Sequence, residues 1–313
     1  MRILITGALG HIGSYLLYSI PKKIKCELII LDSFKTQRYS SLFNLPKNHK
    51  ISFFEEDVRN INRLKNKLKH IDVVIHLAAL TNAADSVGRE KEFIENNFKG
   101  TSEVIKYCIK NNSKLIYISS TSIYGTQKNL VDENCSSADL KPQSPYAISK
   151  FKEEKLILSN SKASNLKMII LRFGTIFGVS KGIRFHTAVN KFCYQAAMNK
   201  KITVWKSAYN QVRPYATLSD FYQLIVFFLK EKKYLNNQTY NLVTKNLTVK
   251  DIIEIIKIKK KVHIRFVNSK IMNQLSYRVS NSKLHKIGFK SNSNLKKEIF
   301  DTLKLFQFKN LKR

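Results

Sequence analysis

The stretch that decides the fold is MRILITGALGHIG at residues 1–13. Arg2–Thr6 is a short apolar run, typical of a strand buried on both faces, and three glycines follow it with the spacing GxxGxxG. Gly7 permits a tight turn, Gly10 lets the backbone approach a pyrophosphate, and Gly13 lets a helix pack closely on the strand. The sequence therefore predicts a strand–turn–helix unit that binds a dinucleotide.

The residues around this turn indicate which dinucleotide it binds. Free N–H groups at a helix start face phosphates, so we expect His11 and Ile12 to contact the cofactor. Asp32 ends the second strand-like run. A carboxylate there accepts hydrogen bonds from the adenosine ribose and repels a 2′-phosphate, which favours NAD over NADP. Lys35 and Arg38 lie close enough in sequence to keep NADP open.

The first two-thirds of the chain alternates strand-like and helix-like segments. The predicted strands are Arg2–Thr6, Leu28–Leu31, Ile51–Glu55, Val73–His76, Leu115–Ser119 and Met168–Arg172. The predicted helices are His11–Ile20, Asn60–His70, Lys91–Asn111 and Tyr146–Ser159. This alternation implies an α/β fold, a doubly wound parallel Rossmann sheet with right-handed crossovers.

After Gly174 the pattern becomes irregular, which predicts a smaller α+β lobe. Its predicted helices are Thr187–Asn199, Leu218–Lys230, one starting at Thr248 and one over Asn294–Phe306, and its predicted strands lie near Ile202–Trp205, Arg213–Thr217, Thr239–Val243 and His263–Val267. We assign 1–172 and about 212–243 to an NAD-binding Rossmann domain, and 173–211 and 244–313 to a substrate-binding lobe. A ligand is expected in the cleft between them.

Composition excludes several classes of protein. The chain has 313 residues, 43% of them hydrophobic, and a formal net charge of +33. Leu224–Leu229, its longest apolar stretch, is far below the roughly 20 residues of a membrane span. Because the lysines are spread along the chain, we interpret the charge as compositional bias and expect no nucleic-acid partner. Four cysteines without a CxxC pair predict reduced thiols in a cytoplasmic protein and no metal site. Because the first structural motif starts at Met1, we expect no signal peptide.

A tyrosine and a lysine form the candidate catalytic pair. In Tyr146-Ala-Ile-Ser-Lys150 the two side chains lie on one face of a helix. A free phenol ionises near pKa 10 and is a poor base at neutral pH, but a nearby ammonium and a positive nicotinamide ring stabilise the phenolate. Ser120, at the end of a predicted strand, can hydrogen-bond the same substrate oxygen. We therefore expect Ser120, Tyr146 and Lys150 to be catalytic.

Together these motifs resemble the extended short-chain dehydrogenase/reductase superfamily and, within it, the NAD-dependent sugar-nucleotide epimerase/dehydratase family. The resemblance spans about residues 1–245 and is carried by TGALGHIG (6–13), Asp32, Asp57-Val58, His76-Leu-Ala-Ala79, Asn97-Phe-Lys-Gly-Thr101, ISSTSIYG (118–125) and YAISK (146–150). It implies that Asp57 and Val58 contact the adenine and that Lys150 also holds the nicotinamide ribose. The remaining implied cofactor contacts are Leu77, Ala78, Ala79, Asn97 and Tyr146.

The loop after Ser120 bears on the reaction. Members of this family that eliminate water or carbon dioxide usually carry an acidic residue there, whereas this chain has Thr121 and Ser122. Elimination needs an acid and a base beyond the tyrosine, so the sequence favours an epimerase over a dehydratase or decarboxylase. A keto-sugar reductase or dehydrogenase stays an alternative, as does a non-catalytic protein that binds a dinucleotide or a polyanion.

The resemblance also implies a nucleoside-diphosphate sugar as substrate. Thr121 and Asn190 match substrate-facing positions, and Thr175 stands where 4-epimerases carry an asparagine that holds the diphosphate. Arg213 precedes Asp220 by seven residues, the family's spacing for a diphosphate-binding arginine, and its planar fork suits phosphate oxygens. The family further implies a homodimer built through the two long helices of the first domain, and a role in surface polysaccharide precursor synthesis.

Overall fold

The computed structural model describes residues 1–47, 49–125, 130–268 and 276–306. Its strands are β1 (Arg2–Thr6), β2 (Glu27–Asp32), β3 (Ile51–Glu55), β4 (Val73–His76), β5 (Lys114–Ser120), β6 (Leu130–Val131), β7 (Met168–Phe173), β8 (Thr175–Phe177), β9 (Ile202–Trp205), β10 (Val212–Thr217), β11 (Gln238–Leu242), β12 (Lys245–Thr248), β13 (Ile264–Val267) and β14 (Arg278–Val279). Its α-helices are α1 (His11–Ser19), α2 (Glu90–Asn111), α3 (Pro145–Ala163), α4 (Ala188–Ala197), α5 (Leu218–Lys230), α6 (Val249–Lys257), α7 (Ser282–Lys286) and α8 (Leu295–Lys304).

The centre of the molecule is a seven-stranded parallel sheet in the order β11-β7-β5-β4-β1-β2-β3. The chain runs outward from β1 to β3 and then returns to place β4 on the other side of β1. In such sheets the crevice at this reversal, outside the carboxyl ends of the strands, is where ligands bind. The prediction of a doubly wound α/β fold is confirmed.

Both faces of the sheet are buried, which explains why its strands are continuous apolar runs. On β1, Ile3 and Ile5 pack towards α1 and α5, whereas Leu4 packs towards α2 and α3 on the opposite face. Successive side chains of a strand point to opposite faces, so helices on both sides leave no room for the polar alternation of a half-exposed strand.

The prediction of one helix between the strands of this sheet is wrong. Asn60–His70 was expected to be a crossover helix, but the structure has a 3-10 helix at Val58–Leu64 followed by turns. Three asparagines make this segment a poor α-helix former, because their amides bond to partners outside a regular helix. The Asn60 amide donates to Glu56, and the Asn62 amide donates to Glu103.

Short strands build the remainder of the fold. β12, β10 and β8 form one three-stranded sheet, while β13 pairs with β9 and β14 pairs with β6. β10, which we assigned to the Rossmann domain, thus pairs outside the central sheet, and the division into two lobes stays a prediction. Of the predicted lobe 244–313, residues 269–275 and 307–313 lie outside the described residues. No helix in the described ranges has the length and apolar character that crossing a bilayer requires.

A buried ion pair fixes α3 to the central sheet. Arg172 of β7 and Glu154 of α3 are joined by a 2.7 Å contact between Nη2 and Oε2, and both side chains are buried. The Arg172 guanidinium also donates to the hydroxyl of Tyr124, which in turn donates to Asn241. This contact sets the position of the helix that carries Tyr146 and Lys150.

We expect Glu154→Gln to lower the free energy of unfolding by about 3–5 kcal/mol, because it leaves the Arg172 charge buried without its counter-ion. The matched control is Glu254→Gln, which breaks an exposed pair with Lys257 and should cost at most about 1 kcal/mol. Urea titration followed by circular dichroism measures both. Equal losses in the two variants would contradict a structural role for the buried pair.

Candidate active site

A cavity of about 530 Å³ opens at the carboxyl ends of the central strands. The predicted site residues that line it are Gly7, Gly10, His11, Ile12, Gly13, Asp32, Asp57, Val58, Leu77, Ala78, Ala79, Ser120, Thr121, Tyr146, Lys150, Thr175 and Arg213. Asn97 and Asn190 are not part of this lining. One cavity thus unites the glycine turn, the tyrosine–lysine pair and the predicted substrate residues.

The glycine turn lies directly against the segment that follows β4. Gly7 has φ +66°, and a Cβ there would come within 2.7 Å of the Ala78 backbone. A Cβ on Gly13 would come within 2.6 Å of the backbone of Gly7 and Ala8. A Cβ on Gly10 would meet only the Gly7 carbonyl, at 3.2 Å, and it would take up space at the cavity wall. Gly7 therefore serves the tight turn, Gly13 serves the close packing of the helix, and Gly10 leaves space for a ligand to approach.

Asp32 is placed where an adenosine ribose is expected, at the end of β2 and in the cavity wall. One carboxylate oxygen accepts the Leu9 N–H at 3.0 Å, and the other accepts the Phe34 N–H at 3.1 Å. Burial raises the pKa of Asp32, while these two hydrogen bonds act in the opposite direction. The carboxylate therefore also holds the glycine turn in shape.

Lys35 and Arg38, the two cations that left NADP possible as the cofactor, each bond to another group of the protein. Lys35 Nζ donates to Asp57 at 3.0 Å, and Asp57 also makes a bidentate pair with Arg59. Hydrogen bonding by Arg59 holds the pKa of Asp57 well below its usual range. Arg38 donates to the carbonyl of Gly182. Both cations line the cavity, and each already has a partner within the protein.

The catalytic candidates come from two neighbouring elements. Ser120 ends β5, and its Oγ accepts hydrogen bonds from the N–H and the hydroxyl of Ser122. Tyr146 lies in the first turn of α3, which Ser144 caps by accepting the Ala147 N–H at 3.2 Å. This cap fixes the end of the helix that carries Tyr146, whose side chain lines the cavity.

The Lys150 side chain is almost fully buried. It is only 4% exposed, and its Nζ donates to the Tyr117 hydroxyl at 3.1 Å. The same nitrogen lies 3.5 Å from a carboxylate oxygen of Glu153. Neither partner was identified from the sequence, because a Tyr in a strand and a Glu in a helix carry no motif.

Asn97 and Asn190 act behind the cavity wall instead of within it. The Asn97 side chain is buried and bonds to both the N–H and the carbonyl of Leu80, so it orients the loop after β4. The Asn190 amide accepts the Gly178 N–H and donates to the carbonyl of Arg184. Direct contacts of these two residues with cofactor or substrate are not favoured by their positions.

Residues 180–184 form a strap that joins the glycine turn to the second half of the chain. Ser180 Oγ lies 2.8 Å from His11 Nδ1, and the Gly182 N–H donates to Ser14 Oγ at 2.9 Å. Burial lowers the pKa of His11 well below its usual value, so its ring is neutral at physiological pH. The strap ends at Arg184, which donates to Thr81 at 2.6 Å and lines the cavity.

Four buried polar atoms lack a hydrogen-bond partner among the described residues, and all four belong to residues that line the cavity. They are Ser119 Oγ, Arg184 Nε, Thr187 Oγ1 and Arg213 Nε. Buried polar groups are almost always paired, so these atoms indicate a polar ligand. Arg184 was missed in the sequence, where a single arginine in a loop gives no signal. No cluster of His, Cys, Asp or Glu suited to a metal occurs in the described ranges.

Comparison with known proteins agrees with this geometry. Residues 3–242 match the model of the NAD dependent epimerase/dehydratase family. An uncharacterized UDP-glucose epimerase of Bacillus subtilis is 28% identical over 249 residues, which are 77% of this chain and 76% of that protein. A dTDP-D-glucose 4,6-dehydratase of Dictyostelium discoideum is 31% identical over 78% of this chain and 58% of its own length.

A solved structure extends the similarity over nearly the whole chain. It is UDP-glucuronic acid 4-epimerase from Bacillus cereus in complex with UDP-glucuronic acid and NAD, with 25% identity and a TM-score of 0.85 over 98% of this chain and 99% of that chain. NAD is the cofactor that fits here, because the space beside Gly10, the carboxylate of Asp32 and the orphaned polar atoms line one cavity.

We expect Gly10→Ala to reduce the NAD that copurifies with the protein roughly tenfold or more, a loss of about 1.4 kcal/mol of binding free energy. The new methyl group takes the space where backbone must approach the pyrophosphate. NAD released from the denatured protein and measured by chromatography gives the occupancy. Gly13→Ala is the comparison: its Cβ collides with backbone, so its urea midpoint should fall, whereas that of Gly10→Ala should be nearly unchanged. Full NAD occupancy in Gly10→Ala would contradict the assignment of the turn.

Proposed function

The chain belongs to the NAD dependent epimerase/dehydratase family, and we propose that it is an epimerase acting on a nucleoside-diphosphate sugar through a transient keto intermediate. The observation that carries the proposal is the chemistry around Tyr146, where the cavity offers hydroxyls and cations but no carboxylate. This supports an epimerase over the eliminating enzymes of the same family.

The acidic residues of the cavity lie at the expected nucleotide end. Among the described residues that line it, they are Asp32, Glu56 and Asp57, which end or follow β2 and β3. The residues outside the described ranges include no Asp or Glu. At the loop after Ser120 the side chains are Thr121 and Ser122. Elimination requires an acid and a base besides the tyrosine, and this cavity supplies neither there.

Each catalytic side chain then has one task. Tyr146, as phenolate, takes the proton of the sugar hydroxyl, and Ser120 orients that oxygen by a hydrogen bond. NAD would be held along the glycine turn and Asp32, and it would supply the acceptor and donor for the hydride of the same carbon. Lys150 stabilises the phenolate by its positive charge. After the keto-sugar turns over in the cavity, the hydride would return to the opposite face of the carbonyl carbon, and Tyr146 gives its proton back to the carbonyl oxygen. The carbon is inverted, and atoms and charge balance over the cycle.

We expect the wild-type protein to interconvert 4-epimers in a panel of nucleotide sugars followed by NMR, without added cofactor and without net NADH formation. Tyr146→Phe should lower kcat about 10²–10⁴-fold while its NAD content stays at the wild-type level, because only the proton transfer is lost. Turnover retained in Tyr146→Phe would overturn the mechanism. Stoichiometric NADPH consumption with a keto-sugar, by a protein that copurifies without NAD, would instead identify a reductase.

Arg184 supports a narrower substrate class, a sugar that carries a carboxylate. Its Nε hydrogen is buried without a partner, and its Nη1 is fixed by Thr81. Burial lowers the pKa of Arg184 to about 10, so its guanidinium is charged at neutral pH in the cavity that Tyr146 also lines. A guanidinium with a free donor suits a carboxylate better than a neutral hydroxymethyl group. The structurally similar Bacillus cereus enzyme is in complex with UDP-glucuronic acid.

We expect Arg184→Gln to lower kcat/KM for UDP-glucuronic acid about 10- to 100-fold, the worth of a hydrogen bond to a charged group, and to change the value for UDP-glucose little. Lys181→Gln, an exposed residue of the same strap, removes the same charge and serves as the control. A wild-type preference for the neutral sugar, or equal losses with both sugars in Arg184→Gln, would rule out the acidic substrate.

The oligomeric state, the cellular location and the biosynthetic role are part of the same proposal. A homodimer, a cytoplasmic location and a role in surface polysaccharide precursor synthesis are supported by the resemblance to the family. The oligomeric state is measured directly by light scattering on the purified protein.

A further inference from the structure

A fully buried carboxylate lies beneath the catalytic pair. Glu153 stands on α3 three residues after Lys150, and its side chain is 0% exposed. One of its oxygens accepts the Ser149 hydroxyl at 2.9 Å. The other accepts the Thr101 hydroxyl at 2.6 Å and the Tyr117 hydroxyl at 2.8 Å. Three hydroxyl groups therefore donate hydrogen bonds to this one buried carboxylate.

The ammonium of Lys150 is anchored to this carboxylate. Its Nζ donates to the Tyr117 hydroxyl, lies 3.5 Å from Glu153 Oε2 and sits 4.8 Å from the ring centroid of Tyr117. Tyr117 therefore donates to Glu153 and accepts from Lys150, which connects the two charges through one hydroxyl. The position of the lysine nitrogen is set from below by these two side chains.

Two titratable neighbours of Lys150 are neutral. Burial and the Lys150 charge lower the pKa of His76 to about 3, and this ring lies 3.1 Å from the Thr101 hydroxyl. Burial, followed by the Glu153 charge, raises the pKa of Tyr117 well above its usual value. His76 of β4 and Tyr117 of β5 therefore contribute no negative charge that could balance Lys150 at neutral pH.

The remaining charged groups nearby are already paired or belong to the site. Glu154 is committed to Arg172 on the sheet side of α3. Tyr146 lies four residues before Lys150 on α3, and both residues line the same cavity. Among the described residues around Lys150, Glu153 is therefore the anion that balances its charge.

We propose that Glu153 is a positioning residue that acts through Lys150: as the buried counter-ion it fixes the ammonium and limits how strongly that ammonium stabilises the phenolate of Tyr146. This inference rests on the proposed function, in which Tyr146 exchanges a proton with the sugar. A negative charge close to two proton-donating groups makes both of them give up their protons at higher pH. Glu153 thereby adjusts the pH range in which Tyr146 and Lys150 are both in their working forms.

We expect Glu153→Gln to shift the whole pH profile of kcat towards lower pH by about 1–2 pH units, because an isosteric amide removes the negative charge. KM should change little, since Glu153 does not line the cavity. Glu103→Gln removes one negative charge from the surface of α2 and should leave the profile in place. A lower kcat with an unshifted profile in Glu153→Gln would show a purely structural residue and overturn the proposal.

Two further measurements keep the result interpretable. Glu153→Asp retains the charge and should keep the wild-type profile position, with a lower kcat because the shorter side chain holds Lys150 less well. The ultraviolet absorbance of the Tyr146 phenolate, obtained by subtracting the titration of Tyr146→Phe in each background, needs no sugar and should shift in the same direction in Glu153→Gln. An unshifted titration overturns the inference. Absence of turnover by the wild type with every sugar nucleotide, together with a shifted titration, refutes only the proposed function.

Discussion

The close approach of two backbone segments, the glycine turn after β1 and the segment after β4, underlies the entire site. No Cβ fits between Gly7 and Ala78, so the floor of the cavity is formed by main chain on both sides of the strand reversal. The hydroxyl of Thr6 stabilises this approach by accepting N–H groups of Leu77 and Ala78. Thr6 also contacts His76, whose ring continues through Thr101 to Glu153. The cofactor turn and the support of Lys150 are thus parts of one hydrogen-bonded core.

Helix α3 carries two adjacent buried carboxylates with different tasks. Glu154 pairs with Arg172 and holds the helix to the sheet, whereas Glu153 faces Lys150. With a net charge of +33, the protein has many surface lysines that could pair with a carboxylate. Glu153 and Glu154 are instead paired with buried cations, Lys150 and Arg172. The same helix is therefore anchored to the sheet by Glu154 and carries the candidate catalytic residues Tyr146 and Lys150.

The sequence predicted those parts of the structure that depend on local or periodic patterns. The parallel strands were recognisable because burial on both faces makes them continuously apolar, and the turn and the Tyr146–Lys150 pair because their spacing is set by local geometry. The 3-10 helix at Val58–Leu64 was not, because its asparagine amides bond to partners outside a regular helix. The short strand β12 was not, because its pairing with the distant strand β10 determines it. Arg184 and Glu153 were missed for the same reason: single residues become meaningful only when the fold brings them to Thr81 or Tyr117.

The strap also has a consequence for biosynthesis. His11 and Ser14 contact residues 169 and 168 positions later in the chain, so the ribosome releases the glycine turn long before its partners exist. Domains usually begin to fold from the N-terminus during translation, and contacts between such distant residues form slowly. A nascent chain that has just completed β7 holds the polar side chains of this turn without their final partners. The nucleotide crevice therefore reaches its finished form only after most of the polypeptide has been synthesised.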